Sequence, residues 1–107
     1  MATKLEYIEY VLDQISGIGE LSYKKMFGEY MVYINSKPLI IVCNDTCFVK
    51  ILDVTEKFLK ESPKGYPYKG AKEHYILDID NSEFCKEVLI ELEKVIPIPK
   101  KKSKNKN

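Results

Sequence analysis

The sequence predicts an α+β fold: a two-layer domain with an antiparallel sheet and helices packed on one of its faces, in the order α-β-β-β-β-α-β-α. Three observations point to it. Apolar residues recur at helical spacing near both ends of the chain. Between them, β-forming segments run together, separated by short turns. The alternating strand–helix pattern of a parallel nucleotide-binding sheet is absent.

The first helix is read from Leu5, Ile8, Val11, Leu12 and Ile15, which share one helical face. Thr3 and Glu6 stand at capping-box spacing before it. Ser16-Gly17-Ile18-Gly19 ends it, because glycine accepts the left-handed conformation after a helix. Leu21–Phe27 is the first expected strand, and Gly28 breaks or bulges it. Tyr30–Ile34 is the second, with Tyr30, Val32 and Ile34 on one face and Met31 and Tyr33 on the other. Asn35-Ser36-Lys37-Pro38 reads as a hairpin connection. Leu39–Cys43 is a five-residue apolar run, suited to a central strand buried on both faces. Asn44-Asp45-Thr46 turns the chain into Cys47–Ile51, where Lys50 marks an exposed position.

A second helix is expected from Asp53, with Asp53 and Glu56 at cap spacing and Val54, Phe58 and Leu59 on its apolar side. Residues 63–74 read as a loop, punctuated by Pro63, Gly65, Pro67 and Gly70. Tyr75–Ile79 is the last expected strand. Asp80 and Glu83 form a third cap pair. The final helix carries Phe84, Val88, Leu89, Leu92, Val95 and Ile96 on one side, until Pro97 and Pro99 end it. Residues 1–98 are expected to form one domain, and 99–107 a disordered lysine-rich tail.

Composition narrows the function classes. The chain has 107 residues, enough for one small domain that hides roughly 65% of its unfolded surface without disulfides. With 45% apolar and 31% charged residues it is globular in type. No stretch approaches the ~20 apolar residues of a membrane span, and the N-terminus has no apolar signal core, so a cytoplasmic location is expected. All 17 basic residues are Lys, and five of them, Lys100, Lys101, Lys102, Lys104 and Lys106, lie in the last eight positions. Residues 1–99 then carry 12 Lys against 16 acids, a net charge of −4. Such a body is poorly suited to non-specific nucleic-acid binding, which rests on neutralising phosphates. The tail is the one candidate arm for weak, sequence-independent nucleic-acid contact, although such runs usually serve solubility.

The chemistry-bearing residues are sparse. The one histidine, His74, falls in the expected loop or at a strand edge, and a nucleophilic dyad would need it beside Cys43, Cys47 or Cys85. Each cysteine lies in an apolar run, where a buried, inert and reduced thiol is the usual role. Cys43 and Cys47 are four apart across a turn, but a zinc site needs a second close pair of ligands. Asp78-Ile79-Asp80-Asn81-Ser82-Glu83 faintly suggests a calcium loop and reads better as a strand end followed by a helix cap. Gly17-Ile18-Gly19 is a helix terminator and lacks the third glycine of a phosphate cradle. No catalytic, metal or cofactor site is therefore expected. Eight tyrosines remain. Their rings are expected to cover the edges of a small core, and Met31, Tyr33 and Tyr66 are the candidates for an interaction surface. The sheet face turned away from the helices, or an edge strand, is the expected place for a homodimer contact.

Lys25-Met26-Phe27-Gly28-Glu29-Tyr30, with Tyr33 following, resembles the opening of the TfoX (Sxy) N-terminal domain family. Pro38-Leu39-Ile40-Ile41 resembles the family's second hairpin strand. Cys47-Phe48-Val49-Lys50-Ile51 resembles its Leu-Tyr-Leu-Lys-Val segment, Tyr66-Pro67-Tyr68 its loop, and Tyr75 the opening of the strand before its last helix. Glu29 and Met31 stand where the family often has glycine. The resemblance covers residues 20–96. It implies a two-layer fold like that of bacterial secretion chaperones and a non-enzymatic role in competence or transcriptional regulation, exerted through protein contacts beside the cyclic-AMP receptor protein. That role belongs to members with a second, helical C-terminal domain, and the chain is expected to be the first domain alone. A small nucleic-acid-binding accessory protein using the lysine tail is the alternative, and an enzyme of unknown class the second.

Overall fold

Alternation in Glu29–Ile34 sets the frame of the fold. In the computed structural model, which describes residues 4–26 and 29–99, Tyr30, Val32 and Ile34 are buried while Glu29, Met31 and Tyr33 between them are half-buried. This strand, β2, lies between β1 (Leu21–Met26) and β3 (Lys37–Cys43). The sheet continues through β4 (Thr46–Lys50), β6 (His74–Leu77) and β5 (Lys64–Gly65), in the spatial order β1-β2-β3-β4-β6-β5, with every pairing antiparallel. The second, third and fourth strands are neighbours, as the short turns predict. Asn35, Ser36, Asn44 and Asp45 all have positive φ, and two consecutive left-handed residues make the tight hairpin turns whose twist matches that of the strands.

Lys37 and Pro38 belong to β3 and not to the connection. Pro38 pairs with Tyr33 where the β2–β3 register shifts, so Leu39 is the extra residue of a bulge. A bulge tolerates the missing ladder hydrogen bond where proline has no amide donor.

The helices lie on one face. Ile8, Val11 and Ile15 of and after α1 (Leu5–Gln14), Leu59 of α2 (Asp53–Leu59), and Cys85, Val88, Leu89 and Leu92 of α3 (Ser82–Val95) share one core with Tyr30, Val32, Ile40, Val42, Cys47, Val49, Tyr75 and Leu77. The Phe58 and Phe84 rings meet edge-on at 6.1 Å between α2 and α3. Gln14 fastens the end of α1: its amide donates to the Ile79 carbonyl at 2.9 Å, and its own carbonyl accepts from the Ser82 hydroxyl at 2.6 Å.

Four further expectations need correction. The first helix is preceded by Lys4 with no side-chain cap, and Thr3 lies outside the described residues. The cap of α2 is made by Thr55, whose hydroxyl accepts from the Leu52 amide at 2.8 Å, while Asp53 and Glu56 only occupy the first turn. The cap of α3 is Asn81, one residue after Asp80: its side chain accepts from the Phe84 amide at 3.4 Å. Residues 63–74 are not all loop. Lys64–Gly65 pairs with His74 and Tyr75, and His74 opens β6 as a buried residue, not a loop or edge one.

A polar clamp ties the β2–β3 hairpin to α3. The Lys37 ammonium lies 3.1 Å from the Glu93 carboxylate and 2.8 Å from the Glu93 carbonyl, where a cation offsets the unpaired carbonyls of a helix C-terminus. Asn35 and Glu20 exchange backbone and side-chain hydrogen bonds beside it. The hydrogen bond from Lys37 holds the Glu93 carboxyl below the ordinary range. A depressed carboxyl stabilises the fold above its unfolded pKa, and that contribution fades as pH falls through the folded value. Glu93→Gln is therefore expected to unfold at lower urea than the parent at neutral pH, with the gap closing as pH falls through the folded value. A gap independent of pH would show that the charge contributes nothing.

Candidate functional site

The sheet face turned away from the helices should be polar if water alone covered it. Instead it carries an apolar row. Met31 sits opposite Ile41, Ile41 opposite Phe48, and Phe48 opposite Ile76, so one residue from each of β2, β3, β4 and β6 lines up across the sheet. Met31, Ile41 and Ile76 are half-buried, and Phe48 is buried although it lies outside the helix-side core. Gly65 approaches this row closely: a Cβ there would come within 3.2 Å of the Phe48 ring and 3.4 Å of Ile76. A side chain there would press on the Phe48 ring, which would have to shift by a few tenths of an ångström.

Next to the row, Lys50 and His74 face each other across β4 and β6. Between this pair, Met31, Leu39, Ile41 and Phe48 runs a groove of about 140 Å³. His74 is only 8% exposed, and its Nδ1 lies 2.7 Å from the Lys72 carbonyl. Lys72, Glu73 and Lys50 line the adjoining cleft, of about 260 Å³. Sequence reasoning placed Met31 and Tyr33 on this face, marked Lys50 only as an exposed position, and did not place Phe48, Ile76 or His74 here. The alternation of residues 46–50 and 74–77 carries that signal once the two segments are known to pair.

Other candidates are dispersed. Tyr66 is 63% exposed just after β5, at the sheet edge opposite to Met31 and Tyr33. It is separated from β2 by three strands, about 19 Å at the usual spacing. Tyr33 lies with Ser22, Tyr23, Lys24 and Ile98 on a second shallow cleft, of about 640 Å³, beside β1. Of the motif residues, Tyr30 is buried with its ring 5.7 Å from Tyr23, Tyr75 is buried beneath the Lys64 ammonium, and Lys25, Met26 and Tyr68 lie on or near the surface. Phe27, Gly28 and the lysines Lys100, Lys101, Lys102, Lys104 and Lys106 lie outside the described residues.

The cysteines are unpaired thiols. Burial pushes Cys47 and Cys85 up to about 12, and raises Cys43 as well. Cys47 faces the core beside the Tyr7 hydroxyl, at 3.9 Å, and Cys85 donates to the Asp78 carbonyl. Cys43 points to the other face, where Glu29 accepts from it at 3.5 Å. The turn thus sends Cys43 and Cys47 to opposite sides. His74 is on the opposite face from Cys47 and Cys85, and about 13 Å from Cys43 along the strand direction. Among the described residues no group of three or more His, Cys, Asp or Glu could hold a metal ion. Asp78 accepts from the Asp80 amide at 3.2 Å, and Asp80 accepts from the Tyr10 hydroxyl, so the acidic run closes a turn ahead of α3. No helix among the described residues is long and apolar enough to cross a membrane.

Comparison with known proteins adds two matches. The family model described as the TfoX N-terminal domain matches residues 13–82. A protein of Spirochaeta aurantia, described as an uncharacterized 12.7 kDa protein in the trpE 5′ region, is 29% identical over 109 residues, covering 99% of this chain and 95% of its own.

Proposed function

The chain belongs to the TfoX N-terminal domain family, and from that premise we propose that it is a non-enzymatic regulatory domain acting through protein contacts on the open face of its sheet. The observation that carries this reading is the row Met31–Ile41–Phe48–Ile76, apolar side chains spanning four strands on the side away from the described helices. Three of its four side chains, Met31, Ile41 and Ile76, are only half-buried, which leaves apolar area on this face for a partner to cover. Family kinship supports a role in transcriptional or competence regulation, with the cyclic-AMP receptor protein as the partner to test.

Met31→Asp is the direct test. Met31 pairs with Lys24 of β1, so the new carboxylate gains an opposite charge across the strand and the fold should tolerate it. Titration with purified receptor protein is expected to give binding weakened at least tenfold, about 1.4 kcal/mol. Glu87→Gln, on the exposed side of α3, should leave binding unchanged. Undiminished binding by Met31→Asp would overturn the surface, and a parent protein that does not bind would overturn the partner.

A further inference from the structure

Resting on that reading, we infer that the groove on the open face receives the C-terminal residue of a partner polypeptide: an apolar side chain in the groove, with its free carboxylate beside Lys50 and Lys72. Three independent features converge. The groove holds about 140 Å³ and is walled by Met31, Leu39, Ile41 and Phe48. A dry apolar cavity of that order accommodates one benzene-sized group, which is the scale of a single Leu or Phe side chain.

Charge closes one end. Lys50 lines both the groove and the cleft continuing from it, and Lys72 lines that cleft. Neither makes an ion pair among the described residues, where the pairs are Lys37–Glu93 and Lys94–Glu91. Glu73 shares the cleft and leaves one net positive charge, the complement of one carboxylate.

His74 supplies the third feature. It is more than nine-tenths buried and lines both spaces. A carbonyl only accepts, so Nδ1 carries the proton it gives to Lys72, and in the neutral ring Nε2 is left as an acceptor. No described residue donates to it. A C-terminal residue offers all three complements within a few ångströms: an apolar side chain, a carboxylate, and an amide N–H able to donate to Nε2. A fatty acid has no such donor, and an internal peptide segment has no carboxylate on the main chain.

The probe is N-acetyl-glycyl-leucine, compared with the same dipeptide amidated at its C-terminus, each titrated into the isotopically labelled full chain. The acid is expected to bind in the millimolar range and to shift His74 ring and Ile41 and Phe48 amide signals. The amide should bind at least about tenfold more weakly, because the charge-assisted hydrogen bonds are lost. Lys50→Gln, at an exposed position, should weaken the acid at least about fivefold and leave the amide unchanged. Equal binding of acid and amide, or shifts confined to a separate cleft lined by Tyr7, Asp45, Cys47, Asp78 and Asp80, would overturn the inference. It fails alone if the dipeptide does not bind while Met31→Asp still weakens the partner. It fails together with the broader reading if Met31→Asp leaves the partner unaffected.

Discussion

Leu89→Ala is expected to lower the unfolding free energy by about 3–5 kcal/mol, while Ile90→Ala, one residue on, changes it by no more than about 0.5 kcal/mol. Leu89 is fully buried in α3 and belongs to the core shared by the helices and the sheet, whereas Ile90 is 42% exposed. Truncating Leu89 removes apolar contacts from both layers and leaves a cavity that a sheet pinned on each side cannot fill by moving. For a domain whose total stability lies near 5–15 kcal/mol, that loss should bring the melting temperature down by roughly 15 °C or more. Urea unfolding of the two variants checks it. A larger loss for Ile90 would mean that α3 presents a different face to the sheet.

Thr55→Val should cost about 2 kcal/mol although it preserves shape. Thr55 is fully buried. Its hydroxyl accepts from the Leu52 amide at 2.8 Å and donates to the Lys50 carbonyl at 2.7 Å, with the Leu52 carbonyl at 3.0 Å. Valine fills the same space and satisfies none of these groups, so the loss measures the orphaned donor and acceptor and not packing. Thr55→Ser keeps the bonds and should cost about half as much. The bond also holds the backbone of Lys50, so the valine variant should bind the partner less well as well as unfold earlier. A valine variant as stable as the parent would mean that water takes over both groups.

Much of the fold was legible because local and tertiary demands agree. The alternation of residues 29–34 and the helical spacing of Val88, Leu89 and Leu92 each assign one face, and the structure buries that face. Asn35-Ser36 and Asn44-Asp45 have side chains that tolerate positive φ, so the two hairpins could be read from turn chemistry. Boundaries were less legible where two residues compete for one role. Asp80 and Asn81 can both cap a helix, and the choice fell to Asn81 because Asp80 is engaged by Tyr10. Thr55 escaped notice because its cap works backwards, from inside the helix to the amide before it. The strand Lys64–Gly65 is two residues long and exists only by pairing with β6, which no local pattern encodes.

The candidate site was half legible for the same reason. Met31 and Tyr33 could be assigned to the far face from alternation alone. Lys50 and His74 are far apart in the chain and meet only because β6 returns to pair with β4 across the α2 connection. His74 read as a loop residue because glycines and prolines precede it, and its burial depends on neighbours the sequence does not place beside it. Tyr66 seemed equivalent to the other surface tyrosines by composition, and the sheet order separates it from them.

The claim that this domain works through its open sheet face is tested most directly by an amide signal footprint. The labelled chain is titrated with the receptor protein, and the signals lost to the slowly tumbling complex are mapped onto the fold. The account predicts losses at Met31, Ile41, Phe48, Lys50 and Ile76, with the exposed positions of α3, Glu87 and Ile90, retained. Losses confined to α3, or to the cleft lined by Tyr7, Asp45, Asp78 and Asp80, would contradict it.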